Sequence, residues 1–249
     1  MALVIRELTP RIWMKLAAIA FSFIVPLVLT TYFLVNEGNI KINFTQQELR
    51  GDRYLRPLSK VLADVGLHRS AVRRDDAAEA SRTEALVDAG FRELLAVDRD
   101  LHDALKTTSA ALSERGRDSS TPSRLVATWE NLKPTDGAAS EQGHNRLLGD
   151  IRTLITAVGD SSNLILDPDL DTYYVMDALL LQEPALIDRL SRLGDTIDQL
   201  PVGDAAVSAD SQAGLAGDVA LLRSHIAALE SDLASSFAET KNFSNNTEL

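Results

Sequence analysis

The feature that most constrains this chain is an uncharged run of twenty residues, Leu16–Val35 (LAAIAFSFIVPLVLTTYFLV). As a helix it would span roughly 30 Å, about the hydrocarbon thickness of a bilayer. A secretory leader has an apolar core of about 7 to 15 residues and ends at small residues. This run is longer and ends in Tyr32, Phe33, Leu34 and Val35 with no A-x-A pattern, so it reads as an uncleaved anchor. Ser22, Thr30 and Thr31 are its only polar interruptions beside Pro26, which a membrane helix tolerates as a kink. Arg6, Arg11 and Lys15 precede it, and positive residues stay on the cytoplasmic side. The sequence is therefore expected to place residues 1–15 in the cytoplasm, 16–35 in a membrane, and 36–249 in an extracytoplasmic domain; in a two-membrane bacterium that membrane is the inner one and that side the periplasm. Trp13 and Tyr32 fall near the two ends, where amphipathic rings prefer the headgroup zone.

Beyond the anchor the charge turns strongly acidic. Of a net −11 for the whole chain, residues 36–249 carry 22 basic and 35 acidic groups. Such a surface repels phosphate backbones, which argues against nucleic acid as a partner. Cysteine is absent, so disulfides and thiolate metal sites are excluded. Aromatic residues make up only 5% of the chain, while Leu and Ala are abundant, a balance that favours helices over a sandwich of strands.

Five blocks then show apolar spacings of three and four. They are Ile40–Phe44–Gly51–Leu55–Leu58–Leu62–Val65, Val87–Phe91–Leu94–Leu101–Leu105–Leu112, Leu147–Ile151–Leu154–Val158–Ile165, Val175–Leu179–Leu186–Leu190–Leu193–Ile197–Leu200, and Leu215–Val219–Leu222–Ile226–Leu229–Leu233–Phe237. The pattern predicts one stripe per helix, as in helical bundles. Polar Gln47, Asp98 and Thr108 occupy stripe positions, where marginal packing is expected. Turn formers at 115–123, 133–143 and 201–213 separate the blocks, and a short helix carrying Trp129 is expected around Arg124–Leu132. Pro57 should bend the first helix or start a new one. The fold class is thus all-α: a transmembrane helix followed by an elongated up-and-down bundle of four-helix type, as one bundle or two stacked. The last block ends at KNFSNNTEL without closing its pattern, so a second span is expected to follow in a longer protein.

The sharpest local signal runs from Asn163 through Asp167-Pro168-Asp169, Asp171, Tyr173, Tyr174 and Asp177. Asp167 before Pro168 reads as a helix cap with proline at the first helical position, and the next two aspartates suit the positive end of the helix dipole. That account needs no ligand. A calcium loop would need glycine where Thr172 stands and glutamate where Ala178 stands. The functional alternative is a helix start bordering a ligand pocket, with Asn163, Asp167, Asp171, Tyr173 and Tyr174 on its rim.

This DPDLDTYYVMD stretch, preceded by SSNLIL, resembles a segment of the ectodomains of bacterial methyl-accepting chemotaxis receptors and membrane sensor histidine kinases. Phe44, Glu48, Gly51, Tyr54, Leu55, Pro57 and Leu58, followed by His68-Arg69, match a second stretch of the same group. The resemblance implies a homodimer that senses a small molecule, or a periplasmic binding protein, through a helical bundle, but carries over no ligand residue position by position; Tyr54 of the second stretch is a further ligand candidate.

His68, Arg69, Arg73 and Arg74 form a basic cluster in an acidic domain. Arginine suits two-pronged contact with a carboxylate, so an anionic ligand is one reading. A solvated helix end whose cations offset the dipole is the other. His102, His144 and His225 are scattered, with no metal-ligand spacing, and no catalytic motif or cofactor-binding loop is present. No enzyme, metal or cofactor is therefore expected in this segment. Its expected role is the input module of a chemotaxis receptor. The alternatives are the input domain of a sensor kinase and a ligand-free dimerisation stalk.

Overall fold

A computed structural model describes residues 12–135, 137–165, 170–198, 200 and 208–243. Among these residues there are helices and turns and no strand. The helices are α1 (Ile12–Arg73), α2 (Ala77–Leu101), α3 (Ser109–Ser113), α4 (Pro122–Leu132), α5 (Gly137–Ser161), α6 (Leu170–Asp177), α7 (Glu183–Asp198) and α8 (Ala209–Phe243). The chain divides into two compact units, Met1–Gln46 and Gln47–Leu249.

In the first unit the apolar run lies within α1 and is exposed throughout, Phe23 at 73% and Leu27 at 67%. By length and composition this helix can cross a membrane. Ser22 and Thr30 turn their hydroxyls back to the carbonyls of Ile19 and Pro26, so these two donors are spent within the helix. Tyr32 meets Phe33 edge to face at 5.7 Å.

In the second unit, the stripes of the first three blocks form the core. Leu58, Leu62, Val65, Val87, Leu94, Leu105, Leu112, Leu147, Ile151, Leu154 and Val158 are all buried, with Trp129 and Leu125 of α4 among them. Each large aliphatic side chain so buried contributes roughly 1.5–3 kcal/mol. Close approach is secured by glycine. A Cβ on Gly90 would stand 2.7 Å from Val61 Cγ2, and one on Gly51 would collide with Ser162.

Several boundaries differ from the sequence expectation. Pro57 neither ends nor restarts α1, which is helical on both sides of it. The second block is not one helix: α2 stops at Leu101, and α3 begins after the Thr108 cap, whose side chain accepts from Ala111 N–H. The break at 133–143 is shorter, because α5 already starts at Gly137. Between α6 and α7 a wider π turn runs over Ala178–Gln182, with Glu183 N–H bonded to Ala178 O. Pro184, which has no N–H, follows at once, and the extra residue per turn absorbs the helix bond it cannot make.

The polar residues on the stripes are satisfied rather than marginal. Gln47 Nε2 donates to the carbonyls of Ala104 at 2.7 Å and Ser161 at 2.8 Å. Ser161 is the last residue of α5, where carbonyls lack helical partners, so one amide from α1 caps a helix end. Asp98 accepts from Tyr54 Oη and from Thr107 Oγ1, each at 2.7 Å.

The fourth and fifth stripes do not form the core in the way the spacing implies. On α7 the buried residues are Pro184, Asp188 and Asp195, while Leu190 and Ile197 are each 50% exposed. On α8, which packs against α6 and α7, Ile226, Leu233 and Phe237 remain exposed. The inward face of α7 is therefore carboxylate-bearing, and what it meets defines the site.

Candidate functional site

Residues near the end of α1 supply the other half. Arg69 lies four residues before the helix ends and is 2% exposed, inside the protein rather than in solvent. Its guanidinium reaches two elements, α5 and α7. Nη1 donates to Asn145 Oδ1 at 2.7 Å and lies 3.5 Å from Asp188 Oδ1; Nη2 donates to Ser191 Oγ at 3.0 Å and lies 3.2 Å from Asp195 Oδ2. Asp188 also takes Arg152 at 3.3 Å and Arg192 at 3.1 Å on its second oxygen. A charge this deep costs several kcal/mol to desolvate, and persists only with opposite charge and hydrogen bonds around it. Burial lowers the Arg69 pKa and Arg192 adds to that, while Asp195 and Asp188 oppose it. Asp188 and Asp195 are seven residues apart on α7 and so share its inward face.

Beside Arg69, His68 is also buried. Its Nδ1 stands 2.8 Å from Nε2 of His144 on α5, and His144 Nδ1 stands 2.8 Å from the carbonyl of Ser140. A carbonyl only accepts, so His144 carries its proton on Nδ1 and presents a bare Nε2. His68 must then donate from Nδ1. This chain of bonds holds for two neutral rings, and a proton added at His144 Nε2 would face the His68 proton. Burial lowers both pKa values, that of His144 to about 4, where His68 and Arg69 also disfavour a further positive charge. Trp129 packs edge-on against His68 at 4.8 Å and donates from Nε1 to Asp88 at 2.7 Å. Lys133 holds the same Asp88 oxygen at 2.7 Å.

Arg73, one turn beyond Arg69, is half-buried. Its Nη1 is 3.0 Å from Glu141 of α5 and 3.9 Å from Asp195. Arg74 is exposed and 3.5 Å from Asp198. The basic cluster does sit at a helix end, but the solvated reading fails for His68 and Arg69. They are buried, and the acidic face of α7 and the polar side of α5 provide what water would have provided.

Of the remaining sequence candidates, Tyr54, Asn163, Tyr173 and Tyr174 do not join this cluster. Tyr54 is fully buried, and its phenol is held well above the usual range by burial and then by the Asp98 charge that it hydrogen-bonds. It is a structural tie between α1 and α2. Asn163 has φ +66°, a left-handed conformation that asparagine tolerates better than most residues, shortly after α5 ends. Tyr173 and Tyr174 pair edge to face with each other at 5.5 Å on α6. Asp167, and the side chain of Asp171, lie outside the described residues.

Sequence reasoning missed His144, Asn145, Asp188 and Asp195. Nothing local marks His144 as the partner of His68, 76 residues away. The seven-residue spacing of Asp188 and Asp195 was a legible signal, masked by the leucine stripe on the same helix. Among the described residues, no group of three or more His, Asp or Glu side chains could hold a metal ion. The chain matches no protein-family model, no curated protein and no solved structure.

Proposed function

We propose that this chain is the membrane-anchored, extracytoplasmic input module of a bacterial transmembrane signalling receptor, of the methyl-accepting chemotaxis type. Residues 1–15 lie in the cytoplasm, 16–35 cross the inner membrane, and the remainder forms a periplasmic helical bundle that acts as a homodimer. The apolar, exposed first part of α1 supports the anchor, and the basic residues Arg6, Arg11 and Lys15 before it support the orientation.

The observation that carries the reading is the charged tie inside the bundle, Arg69 with Asp188 and Asp195. A spacer needs only apolar packing, and replacing buried ion pairs by apolar side chains is often neutral or stabilising. A tie built of directional, charged bonds near the end of α1 instead suits a receptor with two discrete packings. A ligand favouring one packing shifts the population between them, and α1 carries the change toward the anchor.

The test is a chimera in which the whole chain is joined, through the second membrane span of a chemotaxis receptor, to that receptor's cytoplasmic transmitter, with kinase output measured in membranes. Wild type and Arg69→Met should give different basal outputs at equal expression and equal helicity. Equal outputs would favour the ligand-free stalk.

A further inference from the structure

Where α1 ends against the start of α5, a cavity of about 250 Å³ is lined by Arg69, Arg73, Gly137, Ser140, Glu141 and His144. A second, of about 280 Å³, shares Arg69, Arg73 and Glu141 and adds two arginines, Arg189 and Arg192, and two carboxylates, Asp195 and Asp218. Both are smaller than the roughly 300–1,000 Å³ of sites for drug-sized molecules, which limits an occupant to a few heavy atoms. Arg69 Nε–H is buried and, among the described residues, has no acceptor, although the rest of its guanidinium is fully engaged. The first two turns of the 25-residue α5 line the first cavity, at the positive end of that helix dipole. Arg69, whose Nε–H is buried and unspent, a second arginine and a helix start thus border one small space.

Resting on the input-module reading, we infer that this cavity binds a small monocarboxylate, which takes the place of the Glu141 carboxylate on Arg73. Glu141 is the internal stand-in: its Oε1 lies 3.0 Å from Arg73 Nη1, and its side chain is 48% exposed, so it can swing to water when displaced. The charge balance selects the class. Arg69 is already matched by Asp188 and Asp195, and Arg73 by Glu141. Exchanging one carboxylate for another preserves that balance. A phosphate dianion would add a charge beside Glu141 and Asp195, and neither arginine lining this first cavity is left to meet it. His144, neutral with its Nδ1–H spent on Ser140, adds no further positive charge. The exchange also removes a link between α1 and α5, so binding would be coupled to how these helices pack.

The experiment uses the full chain in lipid nanodiscs and follows thermal unfolding at pH 7.5. The probes are acetate, glycolate and pyruvate, with inorganic phosphate as the dianion arm and sodium chloride matching ionic strength. At least one monocarboxylate should raise Tm above the chloride control, with saturation, and phosphate should not. Glu141→Gln, which removes the internal competitor, should lower the half-saturating concentration about two- to fivefold, the range expected for loss of a partly exposed ion pair. Arg73→Gln should abolish the shift. No shift with any of the three carboxylates would overturn the proposal. So would an equal shift with phosphate, or Glu141→Gln titrating like wild type; the last test stands even if Arg73→Gln does not fold. Binding is read without any transmitter, so an empty cavity in a chain that signals refutes the site alone. Binding without signalling in the chimera refutes the receptor reading alone.

Discussion

Protonation of His144 is the perturbation whose size the structure lets us work out. The ring is 1% exposed, and its pKa falls from 6.5 in the unfolded chain to about 4 in the fold. A histidine whose folded value is depressed keeps the fold fully stable above pH 6.5. It withdraws stability as pH falls toward 4, because the unfolded chain takes up the proton first. At pH 5 the unfolded ring is almost wholly charged and the folded ring almost wholly neutral, which costs about 2 kcal/mol; below pH 4 the loss levels off at about 3 kcal/mol. The assay is urea unfolding of the full chain in nanodiscs, followed by far-ultraviolet circular dichroism at pH 7.5 and pH 5, for wild type and His144→Gln. Both lose stability at pH 5 as carboxylates begin to protonate, but wild type should lose about 2 kcal/mol more than the variant. Parallel losses would refute the assignment of His144 as a neutral acceptor of the His68 proton, and with it the tautomers deduced for the pair.

Two further outcomes follow from the same packing. Arg69→Met leaves Asp188 and Asp195 buried with less charge to meet them, and should cost about 3 kcal/mol in urea unfolding, the lower part of the range for breaking a buried pair, since Arg152 and Arg192 still hold Asp188. Adding Asp195→Asn to that variant should recover part of the loss; no recovery would mean that the pair is not coupled. Gly51→Ala drives a methyl into Ser162 at the junction of α1 with the end of α5, and should cost about 1–3 kcal/mol of overpacking, read as a lower Tm. An unchanged Tm would show that the two segments are not in contact.

The helical class, the long apolar N-terminal helix and the core stripes of the first three blocks were legible in sequence because they depend on local composition and periodicity. Val87, Phe91, Leu94 and Leu101 recur at helical spacing whatever they pack against, and the structure buries all four. The Trp129 helix was legible for the same reason, bounded by Thr121 and Pro122 at its start. The basic cluster could be located but not interpreted: whether Arg69 meets water or carboxylates depends on a helix more than a hundred residues later in the chain. Likewise, periodicity alone made Leu190 and Ile197 core residues, and tertiary structure turned them outward. The reason is energetic. Arg69 inside the protein needs compensating charge far more than α7 needs to hide two side chains, so the helix presents Asp188 and Asp195 inward. Local spacing determines which residues share a face of a helix. Only the partners brought by the fold decide which face is buried.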